Sequence, residues 1–97
     1  MIDLIWSARA TADLEEIRAF ISADSPDWAD LTVRRVIAAV ERLQEFPESG
    51  RIVPERQSSD LREVISGNFR IVYRRRATAV EIATVFRGSR DVSRLRL

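Results

Sequence analysis

The sequence predicts a single α+β domain: an N-terminal strand, a two-helix antiparallel hairpin, then a three-stranded antiparallel sheet. Three observations carry this. Apolar residues recur at helical spacing in two stretches of the first half. Three short apolar runs, parted by turn-like breaks at Gly67-Asn68 and Ala77-Thr78-Ala79, fill residues 61–86. A chain of 97 residues has room for one core only, so the helical pair and the sheet must cover each other.

The elements follow in order. Ile2-Asp3-Leu4-Ile5-Trp6 reads as a short strand. Ser7 is a good N-cap for a helix over residues 8–21, whose apolar face is Ala10, Leu14, Ile17 and Ile21. Ala23-Asp24-Ser25 breaks the pattern. Ser25-Pro26 then restarts it, with serine as cap and proline in the first turn. The second helix is expected over 26–45, with a stripe of Ala29, Val33, Val36, Val40 and Leu43. Asp24, Asp27 and Asp30 sit near its N-terminus, where the helix dipole favours negative charge. Residues 47–60 show no period and read as one long loop, of a length often functional or mobile in small domains.

Strands are expected at 61–66, 69–75 and 80–86, with Gly67-Asn68 as a tight hairpin turn. In the middle strand Phe69, Ile71 and Tyr73 share one face, expected to cover the helices. Arg70, Val72 and Arg74 share the other. Tyr73, Trp6 and Trp28 are expected in the core. The tail 87–97 is arginine-rich, with Val92, Leu95 and Leu97 as anchors.

Composition narrows the chemistry. The chain has no cysteine, hence no disulfide and no cysteine zinc site, and no histidine, the commonest proton carrier and metal ligand near neutral pH. No cofactor and no metal are expected. The N-terminus lacks the pattern of a signal peptide, and no apolar run has the length of a membrane span. A cytoplasmic protein without membrane contact is the expectation. The net charge of +1 hides a split: residues 1–48 hold five arginines against ten acids, residues 49–97 eleven arginines against five acids. All sixteen basic residues are arginine, whose planar fork pairs bidentately with carboxylate or phosphate.

Arg62, Arg70, Arg74 and Arg87 project from the expected strands or their ends, and the first three share one sheet face if the register aligns them. One reading is a solvated face that discourages edge-to-edge association. The other is an anion-binding surface, because like charges placed together repel one another without a ligand. Arg74-Arg75-Arg76 at the second hairpin reads as a solvated run. Glu45 and Glu48, beside the long loop, are the carboxylates placed to act as a general base.

The order Leu43…Phe46-Pro47…Gly50-Arg51…Pro54-Glu55, Leu61-Arg62, Phe69-Arg70-Ile71-Val72-Tyr73-Arg74, Val80-Glu81-Ile82…Val85 and Gly88-Ser89-Arg90-Asp91 resembles the RelE/ParE toxin superfamily, its ParE branch in particular, over nearly the whole chain. The resemblance implies one toxin domain over residues 1–97 and the toxin half of a type II toxin–antitoxin pair. It also implies a ParD-like antitoxin in a hetero-oligomer, with operator DNA met only through that antitoxin. RelE-type members of the superfamily cut mRNA on the ribosome with basic residues and a tyrosine or histidine near the C-terminus. ParE-type members poison DNA gyrase. Here Arg62 matches an arginine of the nuclease pattern, and Arg87 stands where many relatives carry histidine. Tyr73 is the only tyrosine. RNA cleavage needs one group to take a proton and another to give one, and arginine stays protonated. The expectation is therefore gyrase inhibition by binding, with Arg62, Arg70, Arg74, Arg87 and Arg90 as target or antitoxin contacts and no catalytic residue. The alternatives are an RelE-like nuclease and a non-toxic antitoxin-binding module.

Overall fold

The computed structural model describes residues 2–56 and 60–88. Strand β1 (Asp3–Trp6) leads into α1 (Ala8–Ser22) and α2 (Pro26–Glu41). A 3₁₀ turn (Arg42–Gln44), β2 (Arg51–Ile52), β3 (Leu61–Ser66), β4 (Phe69–Arg75) and β5 (Ala79–Arg87) follow. The α+β class and the order strand, two helices, antiparallel sheet are as the sequence predicts.

Both helix starts use the predicted caps. The Ser7 hydroxyl accepts from the Ala10 N–H at 3.0 Å and donates to the Ala83 carbonyl at 2.9 Å, so one side chain starts α1 and ties it to β5. Ser25 accepts from the Trp28 N–H at 3.2 Å, with Pro26 as the first helical residue. All five residues of the predicted α2 stripe are buried. The α-helix ends at Glu41, earlier than predicted, and Leu43 reaches the core from the tighter 3₁₀ turn. That tightening precedes Pro47, whose ring disfavours helical geometry in the residue before it.

The sheet is larger than predicted. It has five strands in the order β1-β5-β4-β3-β2. β1 joins it beside β5, in parallel, so the helical hairpin leads from one edge of the sheet at β1 to the opposite edge at β2. β2 lies inside the segment expected to be one loop, as a two-residue edge strand against β3. The β3–β4 hairpin turns on Gly67-Asn68, and Gly67 has φ 57°, a left-handed value that suits glycine. Between Val72/Thr84 and Tyr73/Ile82 the β4–β5 register slips by one, leaving Ala83 without a partner. This bulge lets Ile82 and Val85, three residues apart, both enter the core that Val36, Val40, Leu43, Ile71 and Tyr73 build between sheet and helices. A smaller cluster of Val53, Leu61, Val72 and Phe86 lies apart from it. Among the described residues no helix is long and apolar enough to cross a membrane.

Candidate arginine-rich interaction site

The register separates the arginines that the sequence placed together. Arg62 stands opposite Tyr73, whereas Arg70 and Arg74 alternate with Tyr73 along β4 and stand opposite Ile65 and Leu61. Arg62 therefore shares the helix-facing side with Tyr73, and the expected common face holds only Arg70 and Arg74. The Arg62 guanidinium donates to the Gly50 carbonyl at 2.9 Å and the Glu48 carbonyl at 3.3 Å. Tyr73, fully buried as expected, donates to the Pro47 carbonyl at 2.9 Å and accepts from the Gly50 N–H at 3.0 Å. Together they hold the turn 47–50 against the sheet. Burial pushes the Tyr73 phenol above its ordinary pKa of 10.0, and the Gly50 hydrogen bond opposes that shift. A Cβ at position 50 would lie 2.6 Å from both the Glu63 carbonyl oxygen and the Tyr73 hydroxyl, so only glycine fits this close approach.

Arg70 is 6% exposed and pairs with two carboxylates among the described residues, Glu55 and Glu63. It bonds both oxygens of Glu55 at 2.9 Å and one oxygen of Glu63, and its guanidinium lies 5.4 Å from the Phe86 ring centroid. The other Glu63 oxygen accepts from Arg51 at 2.9 and 3.1 Å. Arg70 is held more firmly charged than usual, chiefly by the hydrogen bonds it donates to Glu55 and, after the opposing cost of burial, by the one it donates to Glu63 and the charges of both carboxylates. Arg74 pairs with Asp60 at 2.9 Å, and Arg76 with Glu81 at 3.2 Å. Arg70 and Arg74 thus need no ligand to relieve mutual repulsion, because each has an internal counter-ion. The run 74–76 is not wholly solvated either: Arg74 is half-buried on Asp60.

Arg87 is different. It is exposed at the end of β5 and lies over the Phe69 ring, 5.8 Å from its centroid. Arg90 and the anchors Val92, Leu95 and Leu97 lie outside the described residues. Glu45 and Glu48 are exposed, and Glu48 meets Arg62 through its backbone carbonyl. Among the described residues no group of three His, Cys, Asp or Glu is placed to hold a metal.

Two residues outside the sequence-derived set join Arg87. Trp28, expected in the core, is 54% exposed on α2, and Arg35 lies over its ring at 5.7 Å. They are seven residues apart, two helical turns on one face, and that spacing was the available signal. A cavity of about 280 Å³ at this end of the molecule is lined by Trp28, Arg35, Ser66, Asn68, Phe69 and Arg87, among others.

A small antiparallel sheet with a parallel N-terminal edge strand, crossed by a helical hairpin and studded with arginine, defines the class: a toxin of the RelE/ParE superfamily. The family model for the ParE toxin of type II toxin–antitoxin systems, parDE, matches residues 4–92, and the chain belongs to that family. It is 41% identical over 80 residues to the toxin candidate Y4kP of Sinorhizobium fredii, covering 82% of this chain and 81% of that protein. It is 37% identical over 65 residues to toxin RelE2 of Caulobacter vibrioides, covering 67% and 69%. A solved chain of the chromosomal ParDE system of P. aeruginosa shares the fold, with TM-score 0.74, 23% identity, and coverage of 90% of this chain and 96% of that one.

Proposed function

We propose that this ParE-type toxin acts by binding rather than by catalysis, that DNA gyrase is its target, and that a ParD-like antitoxin silences it in a hetero-oligomer. One observation carries the reading. The chain has no histidine, and its only tyrosine is buried with its hydroxyl already donating and accepting inside the fold. The glutamates nearest the arginines on the sheet, Glu55 and Glu63, are held in ion pairs. Arginine can stabilise an anion but is a poor proton carrier. Of the five arginines singled out from sequence, Arg87 and Arg90 are the contacts with target or antitoxin. Arg62, Arg70 and Arg74 hold the surface in shape. The toxin works in the cytoplasm and meets operator DNA only through its antitoxin.

The test is a supercoiling and cleavage assay on gyrase with purified toxin. Loss of supercoiling with stabilised DNA breaks is the expected result. Inhibition of translation in a purified system, with gyrase unaffected, would sink the proposal.

The likeness to toxin RelE2 and the match of Arg62 to the nuclease pattern support a second reading, ribosome-dependent mRNA cleavage. Toeprinting would then show codon-specific cuts that Arg62→Ala abolishes. Expression without antitoxin separates both from an inert antitoxin-binding module, which would leave growth unchanged.

A further inference from the structure

We infer that Arg35 and Arg87 form a two-pronged clamp for an acidic residue of a polypeptide partner, at the end of the molecule where α2 meets the β3–β4 hairpin. The inference rests on the reading that an antitoxin segment covers this toxin, and names the place and chemistry of one contact.

Both arginines line the same cavity of about 280 Å³. Each guanidinium lies over an aromatic ring, Arg35 at 5.7 Å from the Trp28 centroid and Arg87 at 5.8 Å from that of Phe69. Among the described residues neither makes a salt bridge, and no carboxylate lines the cavity. A ring attracts a guanidinium through its face and supplies no hydrogen-bond acceptor, so the N–H groups are left for an anion. The cavity is thus electropositive, walled by rings, and preset for a small planar anion such as a carboxylate.

The neighbouring surface decides which anion. Past Phe69 and Arg87, which line both, the cavity adjoins a second one of about 290 Å³, lined also by Ile17, Phe20, Phe86, Asp13 and Glu16. Phe20 is 72% exposed there. A nucleic-acid strand carries a charge at every phosphate and would meet those two acids unfavourably. A peptide that places one Asp or Glu between the arginines and an apolar side chain beside Phe20 satisfies both cavities at once. Charge on the centre and apolar area on the flank is the arrangement in which acidic, apolar segments bind on folding.

The test uses the full toxin and a ParD-like antitoxin, with Kd measured by calorimetry at low and high salt. Arg35→Gln combined with Arg87→Gln is expected to weaken binding at least ~10-fold and to flatten the salt dependence, with Tm unchanged because both side chains are exposed. Charge reversal at both positions should be rescued by a partner whose acidic residue is replaced by arginine. Equal affinity for wild type and the double variant overturns the clamp while leaving the antitoxin reading intact. No binding to wild type overturns both. A labelled single-stranded oligonucleotide that binds wild type, competes with the partner and is released by the double variant overturns the peptide assignment in favour of a phosphate ligand.

Discussion

Arg70 and Arg87 belong to neighbouring strands of one sheet, and their surroundings differ in kind. Arg70 lies buried between Glu55 and Glu63. Arg87, like Arg35 across the cavity, lies over an aromatic ring and makes no salt bridge among the described residues. A buried guanidinium must be paired, because its desolvation is costly without a counter-charge, and so Arg70 is part of the framework. An exposed guanidinium on a ring keeps its hydrogen-bonding edge for a partner. The same side chain is scaffold in one region and, on the proposed reading, contact surface in the other, and its counter-ions decide which.

The largest expected effect breaks the framework side of this contrast. Glu63→Ala removes one of Arg70's carboxylate partners and a fully buried side chain. Loss of one partner of a buried pair costs about 3–5 kcal/mol, so urea unfolding should show a fall of that order. Glu63→Gln, which keeps the shape and some hydrogen bonds, should fall less. A chain as stable without Glu63 as with it would mean that Arg70 is solvated after all.

Tyr73→Phe comes next. It orphans the Gly50 N–H and the Pro47 carbonyl, for a loss of about 1–3 kcal/mol measured the same way. The pH dependence is separate. With its pKa raised on folding, the folded protein holds the phenolic proton more tightly than the unfolded chain. That stability is fully present below the unfolded value of about 10 and is lost as pH rises through the higher folded value. The phenolate absorbance band should therefore appear later in the folded protein than in urea. Appearance at the same pH would show Tyr73 exposed.

Arg74→Ala sharpens the contrast at its middle. Its pair with Asp60 is half-exposed, so about 0.2–1 kcal/mol is expected. The smallest stability effect belongs to Arg35→Gln and Arg87→Gln, within about 0.5 kcal/mol on thermal unfolding, alongside the loss of partner binding. A large drop in Tm for either would move it to the framework side.

Local rules made most of the fold legible. Serine caps, the proline in the first turn of α2, the five-residue stripe and Gly67-Asn68 act within a few residues and stand where the sequence places them. The site was less legible. Arg62, Arg70 and Arg74 are similar in sequence, yet strand register puts Arg62 on the opposite side of the sheet. The carboxylates that neutralise Arg70 come from positions 55 and 63, one of them in a segment that reads as featureless loop. Trp28 has the composition of a core residue, but α2 has only one buried face and Trp28 is not on it.

The sequence by itself determined the α+β class, the two helices and their buried stripe, the three-stranded core of the sheet, and the absence of any histidine to move a proton. These follow from periodicity, capping and composition, which are properties of short windows. Only the tertiary structure decided that β1 joins the sheet in parallel, that Ala83 bulges, that Arg70 is neutralised from within, and that Arg35 and Arg87 share one cavity. Those depend on pairings between residues far apart in the chain, whose geometry is set once all the elements close on a common core.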